Sequence, residues 1–198
     1  EEVRLSSPAD DALSFIIGGW YRRANWTKTA TFEQYNLNGT TFRADEFYDS
    51  TTDNTSIFGD VQYKITDQFS LGGSLRATWD DKRAILANPN STYPAQFTAY
   101  PRTVLNADSS FVDYSVRAQY NSDSGINAYA SYVQSTKAGA IFDLVGSSIF
   151  NIFPPEKART AEIGVKYSRG PTYVSLSAFN LEIQNFQDVV TAVVTSLV

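Results

Sequence analysis

The chain has 198 residues, of which 42% are hydrophobic, 14% aromatic and 19% charged, a content that folds and fills one or two domains. Its net charge of -5 opposes binding to nucleic acid, because affinity for phosphates rests on clustered Lys and Arg that release counterions. The sequence has neither Cys nor His, which removes disulfides, thiolate ligands, imidazole bases and the Ser-His-Asp arrangement, so no catalytic residue, metal site or cofactor is expected.

The first residue is Glu1 and there is no Met, so an initiator and any signal peptide are expected to lie outside this sequence. No run is apolar enough for a spanning helix. The ordering signal is instead period two, the spacing of a strand with one apolar and one polar face.

A weak first pair, Val3 to Ser7 and Leu13 to Arg22, flanks Pro8, Asp10 and Asp11. The alternation is plain in Ile57, Gly59, Val61, Tyr63 and Ile65 against Asp60, Gln62 and Lys64. It resumes after Thr66, Asp67 and Gln68 with Phe69, Leu71, Leu75, Ala77 and Trp79 against Ser70, Ser74, Arg76 and Thr78, predicting a hairpin of long strands. A second hairpin sets Val112, Tyr114, Val116, Ala118 and Tyr120 before a turn at residues 121–125, followed by Ile126, Ala128, Ala130 and Tyr132. A third pairs Thr160 to Ser168 with Thr172 to Gln187. In its second arm the apolar positions pass from Val174, Leu176 and Ala178 to Phe179, Leu181 and Ile183, which predicts a bulge near Ala178.

Connections alternate in length. Turns inside the hairpins are short, while the polar segments between them, about 23–55, 80–110 and 138–158, are expected to be long loops. Such sorting, with strands of ten residues or more, suits an outer-membrane barrel with short periplasmic turns and long extracellular loops. A wet lumen tolerates Asp60, Lys64, Arg76, Arg117, Glu162 and Lys166, and Tyr63, Trp79, Tyr120 and Tyr167 stand where an interfacial girdle places its rings. The expectation is one partial barrel domain over 1–198. It is all-β, an antiparallel up-and-down β-barrel wall of roughly eight long strands with short turns at one end and long loops at the other. Pattern alone also fits a secreted sandwich with those rings in its core.

Several segments resemble the TonB-dependent outer-membrane receptors. Glu2-Val3-Arg4-Leu5-Ser6-Ser7, Phe15 to Tyr21, and Ile57 to Tyr63 with Thr66-Asp67, Leu71, Leu75-Arg76 and Asp80-Asp81-Lys82 are similar to that family's early strands. Ala128 to Tyr132 with Lys137-Ala138-Gly139, Pro155-Glu156 with Glu162-Ile163-Gly164-Val165-Lys166, and Ala178-Phe179-Asn180 to Gln187 resemble later ones. The resemblance implies a bacterial outer-membrane location, contact with membrane lipid, and active uptake of a siderophore, vitamin or glycan-type ligand, without enzymatic activity. The family's energy-transducing partner acts through a plug domain absent from this sequence. A full barrel of this class has about 22 strands, so the chain reads as an internal barrel segment.

Two other readings stay open: a small closed barrel with a structural role, and a self-assembling fibre or tube subunit, extracellular if released, joined through exposed strand edges and the β-prone tail 189–198. The loop aromatics Tyr35, Phe42, Tyr93 and Tyr100 are the candidate ligand contacts, since ring faces suit sugars and chelates. Asp45, Glu46, Asp49 and Asp53 could hold a hard cation, but without an Asp-x-Asp-x-Asp-Gly loop they read as solvated carboxylates. The sequons at Asn25, Asn38, Asn54 and Asn90 read as products of Asn- and Thr-rich loops, and Asp80 and Asp81 face apart.

Overall fold

Every segment with clear alternation forms a strand, and the alternation continues through hydrogen-bonded pairing well beyond the apolar stretches. The computed structural model describes residues 1–8, 11–35, 39–92, 99–143 and 150–188. Its strands are β1 (Glu2–Ser6), β2 (Leu13–Tyr35), β3 (Thr41–Lys64), β4 (Phe69–Asn88), β5 (Tyr100–Asn121), β6 (Ile126–Lys137), β7 (Ala140–Asp143), β8 (Phe150–Phe153), β9 (Glu156–Arg169) and β10 (Thr172–Gln184). Eight of them form one antiparallel sheet in the order β1-β2-β3-β4-β5-β6-β9-β10, and β7 and β8 form a separate hairpin. Each strand of the large sheet neighbours the next in sequence, as in an up-and-down barrel wall. The sheet is open, with β1 and β10 at its edges.

Register assigns every side chain to a face. Directly paired residues share a face, so the row Leu5, Ile17, Gly59, Leu75, Tyr114 crosses five strands on the apolar side. The row Ser14, Gln62, Gly72, Arg117, Ser131, Glu162 crosses six on the polar side. Tyr63, Trp79, Tyr120 and Tyr167 all fall on the apolar face, near the limits of its greasy band.

The burial excludes a sandwich. Among the described residues only Ala44, Ala84, Ile85, Leu86 and Ala107 are buried apolar side chains. Large residues of the apolar face stay open, Leu176 at 70% exposure and Ile163 at 63% among them. Two sheets packed face to face would cover that surface, whereas a barrel wall presents it to lipid.

Two expectations need correction. Segments 23–55 and 80–110 are mostly strand, because β2 and β3 run 23 and 24 residues and β4 and β5 run 20 and 22. The strands outrun the lipid. An apolar band about 25 Å tall takes roughly 9–11 tilted residues, and beyond it neither face meets lipid. Alternation therefore ends while the backbone ladder continues, helped by β-branched Thr27, Thr29, Thr31, Thr51 and Thr52. The third expected loop, 138–158, contains the β7–β8 hairpin. Secondly, β10 has no bulge: its register with β9 is unbroken from Thr172↔Arg169 to Gln184↔Lys157. The apolar positions change face because the surroundings change. Asn180 and Glu182 end the apolar band on one side while Phe179, Leu181 and Ile183 stand on the other. The register shift that does occur lies between Leu86 and Asn88 in the β4–β5 pair.

The tail 189–198 and Asn38 lie outside the described residues. Gly39, next to Asn38 in the β2–β3 turn, has φ of 81°, a left-handed conformation that glycine reaches without steric cost. Gly125 and Gly170 turn the β5–β6 and β9–β10 hairpins in the same way.

Candidate functional site

The polar face carries the side chains with chemistry to offer, in two zones. The lower zone is tied by ions. Arg117 on β5 reaches across β4 to Asp60 on β3, donating from Nη1 to Oδ2 at 2.9 Å and from Nη2 to Oδ1 at 2.7 Å. Tyr129 on β6 donates its hydroxyl to Glu162 Oε1 at 2.6 Å, with the Lys166 ammonium 5.3 Å from its ring centroid. One rung higher on the sheet, Arg76 stacks on Trp20 at 5.6 Å and donates to Ser56 Oγ at 2.9 Å. The wall is thus polar, and Asp60–Arg117 is a full ion pair within it.

The upper zone lies where the long strands run past the apolar band. Alternation brings Trp26, Lys28 and Phe32 of β2 onto one surface with Tyr48, Glu46 and Phe42 of β3. The Trp26 and Tyr48 rings are tilted 59° with centroids 5.2 Å apart, and Trp26 is 59% exposed. Lys28 donates to Glu46 Oε1 at 2.8 Å and sits 5.9 Å from the Phe32 ring centroid. A cationic group bordered by aromatic faces suits a flat or anionic ligand group.

The β7–β8 hairpin folds onto this same face. Gly139 N donates to Ser109 Oγ at 3.1 Å, and Ile141 packs with Tyr48 and Leu105 against buried Ala84 and Leu86. Its own Phe142 and Phe153 meet edge to face at 6.0 Å. The hairpin thereby lines the same mouth as Trp26 and Tyr48.

The four expected contacts divide. Phe42 lies on this face, half-buried. Tyr35 lies on the opposite face, 74% exposed, and donates its hydroxyl to Glu33. Tyr93 lies outside the described residues. The backbone of Tyr100 opens β5 opposite Asn88, and its side chain lies outside the description. Sequence reasoning missed Trp26, Lys28 and Tyr48 because they sat in a segment read as loop. Continuing the even-numbered alternation of β2 and β3 through Thr-rich sequence would have found them.

The acidic group does not converge. Asp45 accepts from Thr31, Asn90 and Arg43, Asp49 from Thr27, and Asp53 from Arg23 and Tyr21, all on the outer face; Glu46 points to the other side. The neighbouring Arg23 and Tyr21 donors hold the Asp53 carboxyl below its ordinary 3.8, and the Thr31 and Asn90 donors act likewise on Asp45. Asp80 faces inward to Asn54 and Lys82, and Asp81 faces outward. Among the described residues no three carboxylates gather to hold a metal ion.

No curated protein matches the sequence. Among solved structures, the ferric yersiniabactin uptake receptor FyuA from Yersinia pestis is similar, with a TM-score of 0.74 at 14% identity over 94% of this chain. The chain spans 28% of that receptor's length. A family model described as TonB dependent receptor-like, beta-barrel matches residues 4–197. An open, sequentially ordered antiparallel sheet with one lipid-type face and one polar face is what a stretch of such a wall looks like. The chain belongs to the TonB-dependent receptor β-barrel family.

Proposed function

We propose that this chain forms part of the wall and mouth of an outer-membrane receptor for active uptake of an iron-chelate (siderophore-type) ligand. Trp26, Lys28, Phe32, Phe42 and Tyr48 line the side on which ligand arrives. The observation that carries the reading is the Trp26–Tyr48 pair beside Lys28, an aromatic and cationic surface on the lumen side of strands that outrun the lipid. The similar FyuA structure is that of a ferric siderophore receptor, which favours a chelate over a vitamin or glycan. Tyr93 and Tyr100 remain in the proposal from their sequence positions; Tyr35, on the opposite face, is a weaker contact. The polar lower zone fits a wall that docks a plug domain, through which the energy-transducing partner would act.

The test uses the full-length chain in outer membranes. It should extract only with detergent and migrate anomalously on gels unless heated. Binding of ferric yersiniabactin and other ferric chelates is then compared with Trp26→Ala and Tyr48→Ala. A loss of at least about tenfold in affinity, equivalent to roughly 1.4 kcal/mol, is expected for one chelate class. Retained affinity in both variants for every chelate that binds would refute this mouth as the contact surface.

A further inference from the structure

Alternation places Glu46 and Asn88 on the lumen face, each one step beyond the Phe47↔Ala87 pair, so they adjoin across β3 and β4. The Glu46 side chain is 1% exposed and Asn88 is 0% exposed. Lys28 occupies Glu46 Oε1 at 2.8 Å. Glu46 Oε2 and both side-chain atoms of Asn88, Oδ1 and Nδ2, have no hydrogen-bond partner among the described residues.

Such burial is costly for polar atoms. An unsatisfied buried group forfeits about 1–3 kcal/mol, and here three stand together beside an ion pair. Cross-strand neighbours lie about 5 Å apart at Cβ, a spacing that a single molecule can bridge. The chemistry of the donor set narrows the occupant. Oε2 requires a donor, Nδ2 requires an acceptor, and Oδ1 accepts a second donor. Lys28 already balances the carboxylate, which disfavours a further cation.

We infer that Glu46 and Asn88 form a binding site for one buried water molecule, which donates to Glu46 Oε2 and completes the chain Lys28–Glu46–water–Asn88. This chain ties β2, β3 and β4 together above the lipid, where no bilayer holds the strands. Buried waters commonly make about three hydrogen bonds of this kind.

The test is an Asn88→Leu substitution in the full-length chain, read by amide hydrogen exchange at the Phe47–Ala87 and Tyr48–Leu86 rungs. Leucine keeps the branched outline of asparagine, though with somewhat larger methyl groups, and offers the water nothing, so exchange at these rungs should speed up by roughly tenfold, which corresponds to about 1.4 kcal/mol. Unchanged or slower exchange would mean that Asn88 was simply an orphan, and would overturn the site. A high-resolution map of the unsubstituted chain provides the second measurement. A peak within hydrogen-bond distance of Glu46 Oε2 and the Asn88 amide supports the water. Direct contact between the two side chains, no peak, or a peak at cation distances of about 2.3–2.6 Å overturns it.

Discussion

The ring of Tyr129 on β6 lies across Gly164, its direct partner on β9, so closely that a methyl group added to the glycine would fall 2.5 Å from Cζ. The glycine gives the ring a flat seat, and the hydroxyl then reaches Glu162 on the same strand at 2.6 Å. Arg117 uses Gly72 in the same manner: a Cβ there would stand 2.6 Å from its Nε, and only the missing side chain lets Arg117 cross β4 to Asp60.

Gly164→Ala should therefore destabilise the wall by about 1–3 kcal/mol, the usual cost of overpacking. Tyr129→Phe keeps the ring seated and loses only the hydroxyl, so it should cost about 1 kcal/mol. Urea unfolding of the full-length chain in lipid vesicles ranks the two. A Gly164→Ala midpoint equal to the parent's would show that the ring moves aside freely.

The Asp60–Arg117 pair can be measured by a double-mutant cycle with Asp60→Asn and Arg117→Met. Both side chains are a little over a third exposed to water, so screening discounts the bidentate geometry, and a coupling of about 0.5–1 kcal/mol is expected. It should shrink as salt rises. Gly72→Ala should abolish the coupling without touching either charge.

The two faces should respond oppositely to charge. Ile163→Lys, on the lipid side, should cost about 2–4 kcal/mol near the membrane midplane. Ser131→Lys, one row away on the lumen side and opposite Glu162, should be close to neutral. Equal costs for both would contradict the facial assignment.

Acid should loosen the outer rim before the band. Asp53 is held below its ordinary 3.8 by Arg23 and Tyr21. A carboxyl depressed on folding contributes stability that is full above its unfolded value and is lost as pH falls through the folded one. Amide protection near Arg23 and Asp53 should persist at pH 5 and decline below about pH 4. Arg23→Met should shrink that decline, because it brings the folded carboxyl back towards its ordinary value, and Asp53→Asn should remove the dependence contributed by this residue.

The β7–β8 hairpin rests on the sheet through Ile141, which packs with the buried pair Ala84 and Leu86. Ile141→Asp puts a charge into that contact and should free the hairpin to proteases between residues 140 and 153. Unfolding of the large sheet should remain nearly unchanged. Resistance to cleavage equal to the parent's would mean that the hairpin is held by its other contacts.

Much of this architecture was legible in the residues. Wherever one face meets lipid and the other water, apolar and polar side chains must alternate. The strands around Ile57–Ile65, Phe69–Trp79 and Val112–Tyr120 and their turns could therefore be placed from sequence, along with the girdle rings Tyr63, Trp79, Tyr120 and Tyr167. The face of each residue follows from the same rule, because a strand's side chains alternate with period two.

Tertiary structure decided what lies beyond the lipid. Above the band neither face of β2 and β3 meets lipid, so alternation ceased to mark the strands that bring Trp26 to Tyr48. The folding of β7–β8 onto the lumen face depends on Ile141 finding Leu86, and the Asp60–Arg117 pair joins residues 57 positions apart. Neither leaves a local trace. The solvent on each side of the sheet is written into the spacing of neighbouring residues, while partners brought together by pairing of distant strands are fixed only when the sheet has formed.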